Sequence, residues 1–320
     1  MQFSKNLIAP ELKIFEKKFA DSVRSQTPSL DRIMKYIIKR KGKQLRPMFV
    51  FLSAKLHGEV NESTYHAAAL VELLHTATLV HDDVVDESLE RRGFLSINAM
   101  WKNKIAVLVG DYLLAKGLLL STSTEEFKHL HILSEAVSKM SEGELLQMEK
   151  ARKLNLEEDV YFEIIKGKTA SLLSSACGVG AWSATNDEFI TDRMKDFGEK
   201  TGIAFQIKDD LFDYGTNDIG KPTGNDLKEK KLTLPLIYTL NNIDPKERRK
   251  IIYIVKNQNK VPEKIEYVLS KVVESGGIDY ATKVMENYRD QALEVLYSFP
   301  ENDARKGLEE LVRYTTDRKY

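Results

Sequence analysis

Apolar residues recur three and four positions apart along most of the chain. The segments LDRIMKYIIKR (30–40), AAALVELLHTATLVHDD (67–83), AVSKMSEGELLQMEK (136–150), MKDFGEKTGIAFQIKDDLFDY (194–214) and EKIEYVLSKVVESGG (263–277) all carry this period. It is the mark of helices that bury one face. Alternating runs bounded by turn pairs are scarce, and eight prolines and 17 glycines are too few breakers for a sandwich or barrel. Helix boundaries are legible: TPSLDR opens one at 27–32, NNIDPKER opens another at 241–248, and SGG closes a third at 275–277. The longest irregular-looking piece is GTNDIGKPTGNDLKEKKLT, 215–233, rich in Gly, Asn, Asp and Lys. No composition shift marks a linker and no short repeat is visible, so residues 1–320 are expected to form a single all-α domain.

Composition adds limits rather than a function. Hydrophobic residues make up 42% and charged residues 30%, an ordinary soluble globular mix. Lys plus Arg equals Asp plus Glu at 48 each, so overall charge points to neither nucleic acid nor membrane, and any electrostatic function is local. The single cysteine, Cys177, excludes an internal disulfide framework and fits a reducing compartment; its setting, SSACGVGAW, suits buried filler. The N-terminal stretch MQFSKNLIAPELKIFEKKF has no unbroken apolar core and does not read as a secretory signal. The most apolar stretch, IAVLVGDYLLAKGLLL (105–120), is interrupted by Asp111 and Lys116 and falls short of the ~20 residues a membrane span needs. A cytoplasmic protein without an integral membrane segment is expected.

The chemistry lies in two clusters of acids. LVHDDVVDES (79–88) sets Asp82, Asp83 and Asp86 directly behind an apolar run, and IKDDLFDYG (207–215) repeats the pattern with Asp209, Asp210 and Asp213. On a helix the first and last of each trio share a face, with the middle one about 100° round. Two carboxylates ~4 Å apart repel by roughly 4 kcal/mol at an effective dielectric of 20, so such clusters call for cations. Oxygen-only ligands suit hard ions, and Mg²⁺ binds through one or two carboxylates together with substrate phosphates. With 20 aspartates in 320 residues, one such trio arises by chance at about 0.08 per chain. The pair is therefore the signal.

Fixed cations should accompany a phosphate ligand. RKGKQLRP (40–47) supplies Lys43 and Arg46, and ERRG (90–93) supplies Arg91 and Arg92. KGKTAS (166–171) offers Lys168 and Thr169 at an expected helix opening, and 215–233 holds Lys221, Lys230 and Lys231. His75 lies two turns before Asp82, where it could donate to a phosphate, whereas His81 reads as structural. Gln206 shares the face of Asp210 and Asp213, placed to orient a water or metal ligand. Glu144 and Gln147, in EGELLQ, could support such groups from outside.

Taken in order, GKQLRP, LLHTATLVHDDVVDES, RRG, VLVGDYLLA, EGELLQ, KTA, FQIKDDLFDY, GK and TLPL make the chain resemble the trans-polyprenyl diphosphate synthases over nearly its whole length, and within them the long-chain, octaprenyl-type bacterial enzymes. The resemblance implies an all-α, isoprenoid-synthase-type bundle of long helices around a deep central cavity, in a homodimer. It implies that Asp82, Asp83 and Asp86 form the first aspartate-rich motif and Asp209, Asp210 and Asp213 the second, together holding Mg²⁺, typically three ions, against an allylic diphosphate; Asp82, Asp86 and Asp209 are the metal ligands expected first. Lys168, Thr169, Gln206, Lys221 and Lys231, with Arg91, are expected at that diphosphate or its metal shell. Lys43, Arg46, His75 and Arg92 are expected to bind isopentenyl diphosphate. The family often reads Gly-Asp-Asp and Glu-Gly-Lys-Pro-Thr where this chain has Gly224-Asn225-Asp226 and Glu229-Lys230-Lys231-Leu232-Thr233. Lys231 keeps its spacing to TLP and is preferred over Lys230.

The chemistry implied is Mg²⁺-dependent head-to-tail condensation of isopentenyl diphosphate with an allylic diphosphate such as farnesyl diphosphate. Ionisation of the allylic C–O bond is followed by attack of the isopentenyl π bond and loss of a proton. Water must be excluded from the cation, so a polar mouth caps an apolar tunnel. The family tunes product length partly at the residues four and five before the first motif; here these are Thr78 and Ala77, small enough for a long, octaprenyl-like product of the kind used for quinone side chains. That product is membrane-seeking. Alternatives are a shorter-chain farnesyl or geranylgeranyl synthase, or a non-catalytic subunit of a heteromeric synthase, which would have lost an aspartate motif. A terpene cyclase would lack the GKQLRP cradle. A metal phosphohydrolase built on His81 and Asp82 would need further ligands, which His57, His66, His129 and His131 are not spaced to give.

Overall fold

The computed structural model describes residues 1–40, 42–91, 93–153, 157–214 and 224–317. The chain is all-α, and 83% of the described residues are helical. Among the described residues the extended structure is a two-residue hairpin, Glu90–Arg91 against Phe94–Leu95, turned by Gly93 at φ +75°. The chain divides into two compact units: Met1–Val137 with Ser175–Lys195 and Phe299–Leu308, and Ser138–Ser174 with Asp196–Ser298 and Glu309–Tyr320.

In the first unit, the helix Leu45–His57 is apolar on every side, and Met48, Phe49, Val50, Phe51 and Leu52 are each at most 1% exposed. All-round apolarity requires burial on all sides. The helix Glu62–Val85 starts at a capping box: the Asn61 side chain accepts from the Thr64 amide at 3.1 Å, and the Asn61 amide donates to the Thr64 hydroxyl at 3.2 Å. That cap fixes the register of 24 residues and so fixes where its last turn, with the first aspartate trio, emerges.

The helix Asn103–Ser123 packs on Glu62–Val85 through Ala106, Val109, Gly110, Leu113 and Gly117. A Cβ on Gly110 would overlap the His81 ring, so the glycine sets this close approach. His81 Nε2 lies 3.2 Å from the Val107 carbonyl, in keeping with a structural role. Asp111 and Lys116 do not interrupt the helix, because a charged side chain on one face leaves the backbone ladder intact. The helix runs 21 residues, and its most apolar 18-residue window, a third of it buried, has a mean hydropathy of 1.6, so by length and composition alone it is long and apolar enough to cross a membrane. Leu108 and Leu119, on the side away from the packed one, are 63% and 62% exposed.

The second unit holds a cluster of Tyr214, Leu227, Leu236, Ile251, Ile254 and Val268, and another of Tyr161, Ile165, Ile203, Ile207 and Ile237. Its helices Leu234–Asn242, Pro245–Asn257 and Pro262–Glu274 all begin with proline in the first turn, where the missing N–H costs nothing. Two sequence expectations change. Within the stretch read as irregular, Asn225–Lys228 is a short helix, while 215–223 lie outside the described residues. Lys166–Ala170 does not open a helix: it is one turn of π-helix that carries Glu158–Ile165 on toward Ser171, with αR backbone on either side.

Candidate active site

The π-turn is where the second unit assembles its polar groups. Such turns carry one residue more than an α-turn and so re-aim the side chains within them. Two glycines let the turn lie close against the helix Phe127–Lys153. A Cβ on Gly167 would stand 2.7 Å from the Lys139 carbonyl, and one on Gly143 would stand 3.0 Å from the Lys168 amide. The approach brings Lys168 into an ion pair with Glu144 and a 3.2 Å hydrogen bond to Gln147 Oε1. The next residue continues the chain of contacts: Thr169 Oγ1 donates to Gln206 Oε1 at 2.7 Å, and Gln206 Nε2 donates to Asp210 Oδ1 at 2.9 Å. EGELLQ, KTA and FQIKDD, far apart in sequence, are therefore one hydrogen-bonded array.

These groups line a cavity whose walls include Gln147, Lys168, Thr169, Gln206, Asp210, Asp226 and Lys231. Lys230 is absent from the wall. Its backbone sits at φ +59°, a conformation that suits the glycine the family often has there, so the extra cation occupies a cap position. Lys231 reaches Glu229 at 2.5 Å and Asp226 at 3.9 Å.

Three carboxylates of this unit are electrostatically loaded. Burial is the main force on Asp210 and pushes it up to about 7, with Asp226 and Asp209 adding to the rise and hydrogen bonds from Tyr161 and Gln206 opposing it. Asp226 is pushed up to about 6 by burial and by Asp213, against the pull of Lys231. Asp213 is also raised by burial, although it accepts from the Asn225 and Asp226 amides at 2.7 and 3.0 Å. Each of these acids gains from a nearby cation. Among the described residues no three His, Cys, Asp or Glu side chains close into a metal cage.

Sequence reasoning passed over Tyr161 and Asp226. Tyr161, 49 residues from Asp210, donates to its Oδ2 at 2.6 Å and is wholly buried. No local pattern announces it. Asp226 stands in the departure from Gly-Asp-Asp, and its backbone N–H donates to Asp213 Oδ2, which ties it to the second trio.

In the first unit, Asp82 lies in the last turn of Glu62–Val85, Asp83 is 3% exposed, and Asp86 is the exposed C-cap. Asn98 Nδ2 donates to the Asp83 carbonyl at 3.0 Å, which anchors the helix end. Arg46 Nη1 donates to His75 Nε2 at 2.8 Å. Arginine can only donate, so Nε2 accepts and the ring proton is on Nδ1. Lys43, exposed, precedes the helix Leu45–His57, in whose first turn Arg46 stands. His75 and Asp83 also border a largely apolar cleft with Phe15, Tyr36, Leu79 and Phe94. Ala77, fully buried, and Thr78, whose hydroxyl donates to the His75 carbonyl at 2.9 Å, are not in its wall. Arg92 and Lys221, and the side chain of Arg91, lie outside the described residues.

Comparison with known proteins agrees with this arrangement. The polyprenyl synthetase family's sequence model matches residues 27–272. The all-trans-nonaprenyl-diphosphate synthase (geranyl-diphosphate specific) of Rhodobacter capsulatus is 35% identical over 325 residues, covering 99% of both chains. Heptaprenyl diphosphate synthase component 2 of Bacillus subtilis (strain 168) is 34% identical over 315 residues, 97% of this chain and 88% of its own. Among solved structures, a polyprenyl synthase from Caulobacter crescentus CB15, complexed with calcium and isoprenyl diphosphate, superposes with a TM-score of 0.91 at 34% identity over 100% of this chain and 98% of that one. The relatives make products of different length. Fold, motif order and these matches together place the chain in the polyprenyl synthetase family, as a trans-prenyltransferase of the all-α isoprenoid synthase fold.

Proposed function

We propose that the chain is a catalytically complete long-chain synthase, a single functional domain that extends farnesyl diphosphate with isopentenyl diphosphate to an octaprenyl-like product for quinone side chains. The observation that carries the reading is the cavity in which the raised carboxyls of Asp210 and Asp226 share walls with Lys168 and Lys231. Acids that gain from a cation and bases that gain from an anion, in one cavity, suit a metal diphosphate. The donor set fits Mg²⁺, a hard ion that binds through one or two carboxylates together with substrate phosphate oxygens.

Asp209, Asp210 and Asp213, and in the first unit Asp82, Asp83 and Asp86, are the residues that would hold the ions, three by family analogy. The ions would supply charge neutralisation on the departing diphosphate. Lys168 and Lys231 put fixed positive charge beside the same leaving group, and Thr169 and Gln206 keep Asp210 oriented. Arg46 and His75, already hydrogen-bonded, with Lys43, take isopentenyl diphosphate. Arg91, Arg92 and Lys221 complete the phosphate contacts. The small Ala77 and Thr78 leave space for the growing chain. Both aspartate trios are intact, which favours catalysis over a non-catalytic subunit. The exposed leucines on Asn103–Ser123 favour a homodimer, in a cytoplasmic enzyme.

Incubation with Mg²⁺, farnesyl diphosphate and labelled isopentenyl diphosphate tests this, with products sized by chromatography. A ladder ending in one long product, lost in Asp82→Ala and Asp209→Ala, is expected. Termination at 20 carbons would overturn the long-chain reading, and absence of elongation would overturn catalysis.

A further inference from the structure

The helix Pro245–Asn257 in the second unit presents a basic outer face. Ile251, Ile254 and Val255 are buried on its inner side. Opposite them stand Lys246, Arg249, Tyr253 and Lys256, at steps of three, four and three residues and so within an arc of about 80°. All four are exposed, and Tyr253 is 57% open to solvent. Residues 244–264 carry seven Lys and Arg against three Asp and Glu, in a chain whose overall charge is zero. Lys250 pairs with Glu247 at 3.8 Å, but among the described residues Lys246, Arg248, Arg249, Lys256 and Lys260 take part in no ion pair. Beyond the helix, Val261 is 39% exposed beside Lys260.

A row of unneutralised cations around one exposed tyrosine complements an anionic surface. Tyrosine favours the headgroup layer of a lipid bilayer, with its ring against apolar matter and its hydroxyl in water, and nearby Lys and Arg are drawn to anionic headgroups. We propose that this face docks the protein on an anionic lipid surface. The choice of lipid over another polyanion rests on the function proposed above, whose long-chain product needs a bilayer to enter.

The test is flotation of the full-length protein with vesicles of 30% phosphatidylglycerol in phosphatidylcholine and with pure phosphatidylcholine vesicles. Binding is expected to the anionic vesicles only, falling steeply between 0.05 and 0.5 M NaCl. Each cation near such a surface contributes roughly fivefold, so Lys246→Gln/Arg249→Gln/Lys256→Gln should lose on the order of 100-fold in affinity. Tyr253→Trp should show a blue-shifted emission with anionic vesicles and none with neutral ones. The proposal is overturned if the triple variant binds as tightly as the parent, if neutral vesicles bind equally well, or if a short single-stranded DNA binds more tightly and displaces the vesicles. Elongation by the triple variant in detergent should match the parent. Absence of elongation in the parent itself would refute the enzymatic reading while leaving vesicle binding to be read separately.

Discussion

Removing one hydroxyl tests how the second aspartate cluster is tuned. Tyr161 and Asp210 are both buried and joined by a 2.6 Å hydrogen bond in which the phenol donates to the carboxylate. Burial pushes Asp210 up to about 7, and the bond from Tyr161 is the largest force opposing that rise. The sign follows: below about pH 7 the carboxyl holds its proton, and it must release that proton to accept a cation, so Mg²⁺ affinity rises with pH. A hydrogen bond to a charged group is worth about 1.5–3 kcal/mol. Tyr161→Phe should therefore move the midpoint of the Mg²⁺-affinity profile alkaline by about one to two pH units, at 1.36 kcal/mol each. At pH 7 the loss in affinity is about five- to fiftyfold, closing to within about twofold at pH 9. The assay is the Mg²⁺ concentration giving half-maximal elongation, measured from pH 6 to pH 9. A loss of equal size at every pH, or an unmoved midpoint, would refute the reasoning.

Three further outcomes are expected. Lys230→Gly should raise stability in urea denaturation by about 0.5–1 kcal/mol, because it relieves a left-handed backbone at φ +59°, and should leave elongation intact, because Lys231 lines the cavity and Lys230 does not. A decrease in stability would show that the lysine side chain matters more than its backbone strain. Gly180→Ala should cost at least about 1–3 kcal/mol in the same assay, since its Cβ would meet the Val50 carbonyl, which a backbone cannot move aside cheaply; a neutral effect would mean that the two helices can part without loss. Cys177 is fully buried and its thiol is pushed up to about 12 by that burial, so a thiol-specific disulfide reagent at pH 8 should label it only after unfolding in guanidinium. Stoichiometric labelling of the native protein would contradict the packing.

What the sequence conveyed was mostly periodic or local. The 3.6-residue pattern marked the long helices, Thr27, Asp244 and Gly276 marked their ends, and the doubled acid trio marked the chemistry. What it did not convey depends on contacts between distant segments. Tyr161 has no neighbour in sequence that explains it, and the π-turn at Lys166–Ala170 is one additional residue in a helix, invisible to a periodicity count. The close backbone approach at Gly143 and Gly167 joins two segments distant in sequence, and no local pattern announces it.

On the function proposed above, the cluster around Asp210 receives a diphosphate together with its metal. The most direct measurement is calorimetric titration with farnesyl thiolodiphosphate, an allylic analogue that resists ionisation, in 5 mM Mg²⁺ and in EDTA. Binding is expected in Mg²⁺ that weakens at least about 100-fold in EDTA and, in Mg²⁺, weakens in Asp209→Ala and Lys168→Gln, each lost charge-assisted contact being worth about 1.5–3 kcal/mol. Equal affinity with and without the metal, or a Lys168→Gln variant that binds as the parent does, would contradict it.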